Sequence, residues 1–162
     1  MLKAIPILIS LSLFVTTFTH ASEEIGSFIY QDSEDIMDQS DTSSVFTSGV
    51  KKNGVELGWQ CDRGDIHVVV KHQEVIGNDG RSIVTYRFDG GTPTPFDYWD
   101  LDTSRKKSFA PDRVYGAITR KALVSDEAAF QVQDPYTGKK RNNLFKLNGL
   151  NEALNRLECY DS

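Results

Sequence analysis

Three kinds of side chain in this 162-residue sequence could carry chemistry: histidines, closely spaced carboxylates and a pair of cysteines. Histidine titrates near neutral pH and is the usual general base. Apart from His20 the chain offers His67 and His72; on one strand their spacing puts them on opposite faces, where they share neither a metal nor a proton relay. A satisfied or solvent-facing role suits them better. The sequence contains no HExxH, no GxSxG and no phosphate-binding glycine loop. The remaining catalytic route is a carboxylate pair, as in glycan cleavage, and Glu34, Asp35, Asp38 and Asp41 would supply it. The same residues could hold calcium, but they lack the alternate ligand positions, turn glycine and distal glutamate of an EF-hand loop. A solvated or capping loop without a metal is the reading these residues favour.

Cys61 and Cys159 are the two cysteines. Neither belongs to a CxxC pair or has a histidine at zinc-ligand spacing. Their chemistry depends on compartment, which the first residues address. Lys3 is followed by an apolar run over residues 4–18 and then Thr19-His20-Ala21, the pattern of a secretory signal peptide over residues 1–21. The run is short for a transmembrane span, which needs about 20 apolar residues, so stable membrane insertion after cleavage is not expected. Export places the thiols where disulfides persist. An even count favours an internal Cys61–Cys159 bridge over a free thiol or an intermolecular bond; closing a loop of about 100 residues would stabilise by about 4–5 kcal/mol.

The elements that must position these groups follow from patterning. Residues 22–162 read as one domain, mainly β with some α: an antiparallel, sandwich-like arrangement with a mid-chain helix and a C-terminal helix. Strands are expected at residues 26–30, 43–47, 55–61, 66–71 and 83–88, which are rich in β-branched and aromatic types. Turn signals at Lys52-Asn53-Gly54, Asp62-Arg63-Gly64-Asp65 and Gly77-Asn78-Asp79-Gly80 separate them, suggesting consecutive hairpins in a meander. Residues 32–41 between the first two are a loop. The strand at 83–88 has partly apolar faces on both sides, consistent with a central strand covered twice. Phe96, Tyr98, Trp99 and Leu101 form an aromatic segment and Phe109 a further short strand. Pro111-Asp112 opens a helix of about three turns, with Val114, Ile118, Ala122 and Ser125 on one side. Strands at 128–132 and 143–147 flank a basic turn, and Asn148 is placed to cap a last helix carrying Leu150, Ala153, Leu154 and Leu157 toward Cys159.

Two motifs remain. Arg87-Phe88-Asp89-Gly90-Gly91 either presents a binding pair of charges or ends a strand, with Arg87 and Asp89 close enough on one face to pair and the glycines free to turn. Trp99 with its aromatic neighbours either lines a ligand groove or anchors the core. The 23 Asp and Glu against 18 Lys and Arg give a net charge of −5, which argues against nucleic acid as a partner because phosphate-backbone binding draws on clustered cations.

Several of these segments together resemble the exported VasI/TagO-type proteins associated with bacterial type VI secretion. Ser33-Glu34-Asp35-Ile36-Met37-Asp38-Gln39 looks like their acidic stretch, Leu57-Gly58-Trp59-Gln60-Cys61 their cysteine-ending strand, and Val84-Thr85-Tyr86-Arg87-Phe88-Asp89-Gly90-Gly91 their most distinctive strand and turn. Trp99, Phe109-Ala110-Pro111 and Phe145-Lys146-Leu147-Asn148-Gly149-Leu150 before Cys159 continue in order. A further Arg-Leu-Ala-Cys-Phe-Asp-like segment of the secretion-associated members is missing, so the resemblance covers their common β-rich module. It implies a fold and no catalytic residue. The function expected is that of a periplasmic or secreted, non-enzymatic accessory or binding protein of the cell envelope, without a cofactor. Its partner would be an envelope protein or peptidoglycan. The alternatives are a small envelope hydrolase using the acidic-loop carboxylates and a secreted inhibitor or immunity-like protein.

Overall fold

The structure is a computed structural model, and it describes residues 22–160. The signal peptide expected over residues 1–21 lies outside the described residues. Ten strands form one antiparallel sheet: β1 (Ser22–Ile25), β2 (Phe28–Gln31), β3 (Ser44–Ser48), β4 (Glu56–Asp62), β5 (Asp65–Lys71), β6 (Arg81–Phe88), β7 (Asp97–Leu101), β8 (Lys107–Phe109), β9 (Glu127–Gln133) and β10 (Lys140–Lys146). Helix α1 (Asp112–Ala122) lies between β8 and β9, and α2 (Leu150–Leu154) follows β10. The mainly β, disulfide-tied class read from the sequence is the one observed.

The strand order is β1-β2-β3-β4-β5-β8-β7-β6-β9-β10. Strands β2 to β5 follow the expected meander, with β1 added before them, but β6 does not pair with β5. That place is taken by β8, with Val69 opposite Phe109 and Val70 opposite Ser108. The segment after β5 is a long connection, not a tight turn: His72 and Ile76 donate backbone N–H bonds to Lys106 and Arg105 carbonyls, and the Arg105 guanidinium holds the Gly77 carbonyl at 2.8 Å. The chain is thereby carried past β8 and β7 before β6 begins. The connection from β8 to β9 runs through α1, whose Ile118 and Ala122 are buried in the core.

The sheet curls until β10 returns beside the connection after β3, and the residues after β10 meet the β1–β2 turn. Val50 donates to the Leu144 carbonyl at 2.8 Å and Ser27 to the Asn148 carbonyl at 3.0 Å. One core is enclosed between. Alternation puts Ile66, Val68 and Val70 of β5 on its inner face with Leu57, Trp59 and Cys61 of β4. Phe130 stands at the centre of an aromatic group, stacked on Tyr86 with ring centres 5.2 Å apart and edge-on to Trp99 and Phe145, each at 6.2 Å. Such offset and edge contacts suit the ring quadrupoles. The Trp59 indole N–H reaches the Thr119 hydroxyl at 2.9 Å, fastening α1 to β4.

Two local expectations change. Gly26 is in a turn at φ 59° rather than in a strand, because an additional strand, β1, precedes it. Asn148 does not cap α2; Gly149, at φ 88°, occupies that position. Asn148 instead accepts hydrogen bonds from the Ser27 hydroxyl and backbone N–H. The two turns pack so closely that a Cβ on Gly149 would lie 2.7 Å from the Ile25 carbonyl oxygen, which explains the glycine there. The last helix is five residues long, and Cys159 lies beyond it in a turn.

Candidate binding groove

The sequence-predicted residues separate into three places. Cys61 and Cys159 form the disulfide, with an S–S distance of 2.02 Å, joining β4 to the C-terminal turn across 98 residues. The acidic loop leaves and re-enters the sheet through a bridge between Glu34 and Asp41. Asp35 accepts the Met37 N–H at 2.7 Å, Asp38 accepts the N–H and O–H of Ser40, and Asp41 accepts the Ser43 N–H at 2.7 Å. These are local side-chain to backbone bonds that shape a turn. The bonds from Ser40 hold the Asp38 carboxyl below its ordinary range. The other Asp41 oxygen is buried without a hydrogen-bond partner, and the Asp41 carboxylate lies within 4.8 Å of both disulfide sulfurs. Joined to each other, those sulfurs are not thiolate ligands.

His72 and His67 are apart. His72 is buried; its Nδ1–H donates to the Glu74 carbonyl at 2.8 Å, leaving Nε2, 3.2 Å from the Ser108 hydroxyl, to accept. Ser82 is 2.9 Å from Ser108. This serine–histidine chain is enclosed between β5, β6 and β8, and Ser82 and Ser108 have no exposed surface. Burial lowers the His72 pKa, favouring the neutral ring. His67 lies on the opposite face, edge-on to Phe109.

Trp99 is fully buried in the core, so it anchors packing and does not line a groove. The Arg87-Phe88-Asp89-Gly90-Gly91 segment ends β6, and Arg87 and Asp89 do not pair. Asp89, at φ 47°, turns its carboxylate to the backbone N–H groups of Asp126 and Glu127, at 2.9 and 3.1 Å. Bonds from the backbone N–H groups of Glu127, first, and of Asp126 keep this carboxyl below its ordinary pKa. The turn then folds the chain back along β6, where Thr94 donates its N–H to the Tyr86 carbonyl and accepts the Tyr86 N–H on its hydroxyl.

The turn therefore builds one wall of a groove, and Arg87 opens into it. The outer face of β6, β9 and β10 forms the floor, with Thr85 opposite Gln131 and Gln131 opposite Asn142, and with Arg87 opposite Ala129 and Ala129 opposite Leu144. Pro93 stands on the β6 side and Lys51 on the β10 side, around a volume of about 490 Å³. The sequence suggested that β6 would be covered on both faces. It is central, but its outer face is this groove, with Arg87 exposed.

Both walls are held by bonds that do not involve a ligand. Opposite the Thr94 contacts, buried Asn143 accepts the Lys51 N–H at 2.9 Å and donates to the Lys51 carbonyl and the Asn53 side chain, each at 2.7 Å. Gly49 makes room for that amide, since a Cβ there would stand 1.8 Å from it. The Lys51 ammonium reaches Asn142 at 2.9 Å. A fixed, mixed polar and apolar concavity of this size suits a small ligand or a short polymer segment. Sequence reasoning found Arg87 but missed Lys51, Gln131 and Asn142, which the fold gathers from three distant elements.

No protein-family profile matches the chain, and no curated protein does. Membership of the VasI/TagO family is therefore not shown. Among solved structures, the fold is similar to the crystal structure of invasion associated protein B from Bartonella henselae, with a TM-score of 0.53 and 13% identity over 84% of this chain and 93% of that one. That likeness is one of fold. It agrees with the β-rich module read from the sequence.

Proposed function

We propose that this is an exported, non-enzymatic accessory protein of the bacterial cell envelope that binds its partner in the groove over β6, β9 and β10. The observation that carries the reading is a concavity whose two walls are hydrogen-bonded in place on a disulfide-tied scaffold. Preorganised surfaces of this kind lose little ordering entropy on binding. The disulfide fits an oxidising compartment, and among the described residues no helix is long and apolar enough to cross a membrane. The similarly folded structure is itself an invasion associated protein of a bacterium. A link to type VI secretion rests on the sequence resemblance alone.

The test uses the oxidised chain from Ser22 onward, mixed with purified peptidoglycan sacculi and pelleted. Retention that is lost in an Arg87→Ala, Lys51→Ala double variant with an unchanged melting curve supports the reading. Retention indifferent to those changes, or turnover of the sacculi, overturns it.

A further inference from the structure

We infer that the groove reads peptide carboxylates: its ligand is a short peptide carrying a free carboxyl group, the chemistry of a cell-wall stem peptide. This rests on the binding-module reading above and specifies the ligand.

The charge pattern is the first argument. The chain carries an acidic excess, 23 carboxylates against 18 cations, yet the groove is lined by Lys51 and Arg87 and by no Asp or Glu. Arg87 is exposed and belongs to none of the ion pairs among the described residues. Its planar guanidinium matches a carboxylate with two parallel N–H bonds. Two acids farther along the same face have other partners: Glu127 pairs with Lys146 at 2.9 Å, and Asp89 is bound to backbone N–H groups. An anionic group entering beside Arg87 thus meets a guanidinium that no carboxylate contacts.

The second argument concerns the remainder of the ligand. Gln131 and Asn142 lie side by side on the floor; the Gln131 amide offers donors and an acceptor, and the Asn142 amide, whose oxygen already accepts from Lys51, offers its N–H donors, the complement of a peptide N–H and C=O. Ala129, Leu144 and Pro93 supply apolar surface for small side chains. Toward β7 the same face continues to Tyr98, opposite Ile83, and to Phe96. This pair is packed edge-on at 6.1 Å with Phe96 66% and Tyr98 48% exposed. An exposed aromatic pair beside a carboxylate-reading floor suits a chain longer than the anionic group alone.

The experiment is a calorimetric and NMR titration of the oxidised chain with four soluble probes: a disaccharide–tripeptide wall fragment, the same fragment with its carboxyl groups amidated, the disaccharide alone, and the free tripeptide. The fragment and the free tripeptide are expected to bind within about threefold of each other, and amidation or Arg87→Ala to weaken binding at least tenfold. Amide shifts should centre on residues 85–87, 129–131 and 142–144. Equal binding of the amidated fragment, binding of the disaccharide as tight as the whole fragment, or shifts centred elsewhere would overturn the inference. If sacculi are retained through Arg87 and Lys51 while amidation has no effect, the carboxylate inference fails and the binding-module reading stands. If neither sacculi nor fragment binds, both fail.

Discussion

Reduction of Cys61–Cys159 should remove the largest single covalent contribution to stability. The bridge closes a loop spanning 98 residues, and in the chain-entropy treatment a loop of about 100 residues is worth about 4.7 kcal/mol at 25 °C. That is a large share of the 5–15 kcal/mol by which domains are usually stable. It should appear as a fall in melting temperature of about 10–20 °C for a chain of this size. Trp59 and Trp99 are both fully buried, so their fluorescence reports unfolding directly. Urea titrations of oxidised protein, protein held in reductant, and a Cys61→Ala, Cys159→Ala variant provide the comparison. Because the effect acts on the unfolded chain, the reduced forms should also show the larger urea dependence, as they expose more surface when unlinked. A stability difference below about 1 kcal/mol, or an unchanged urea dependence, would refute loop closure as the source.

Other substitutions probe the framework around the groove. Thr119→Val keeps side-chain shape but leaves the buried Trp59 indole N–H without its acceptor, and should cost about 1–3 kcal/mol in urea unfolding. Asn143→Ala removes the amide holding the Lys51 backbone; it should cost about 1–3 kcal/mol and raise hydrogen exchange in residues 50–54 more than elsewhere. His72 is held neutral by burial, with its pKa lowered from 6.5. The unfolded chain therefore binds the proton more readily, so this residue's contribution is present above about pH 6.5 and lost as pH falls through and below that value. A His72→Gln variant should show a shallower loss of stability between pH 7.5 and 5.5, measured by chemical unfolding.

Much of the scaffold was legible because its causes are local. The β-branched runs of β3, β4 and β5, the turn residues between them and the helix opened by Pro111-Asp112 depend on neighbours in sequence. The disulfide was legible because two cysteines have one internal pairing and the first residues have the pattern of a secretory signal peptide. The position of β6 was not: whether it lies beside β5 depends on β8, which comes later in the sequence, occupying that edge. Asn148 was misread for a similar reason, since its oxygen atoms are claimed by Ser27 at the far end of the chain. At the groove, strand alternation correctly puts Arg87 and Thr85 on one face, but Lys51, Gln131 and Asn142 join them only through register and the return of β10 to the β3–β4 connection. Asp89 shows how a motif residue can shape the groove at one remove. Its carboxylate builds the turn, and the turn forms a wall for Arg87.

The most direct test of the central claim is hydrogen–deuterium exchange on the oxidised chain with and without saturating peptidoglycan sacculi. The groove account predicts added protection confined to residues 49–53, 85–95, 129–131 and 142–144, with the acidic loop at residues 32–41 unchanged. Protection centred on that acidic loop, or none anywhere, would contradict it.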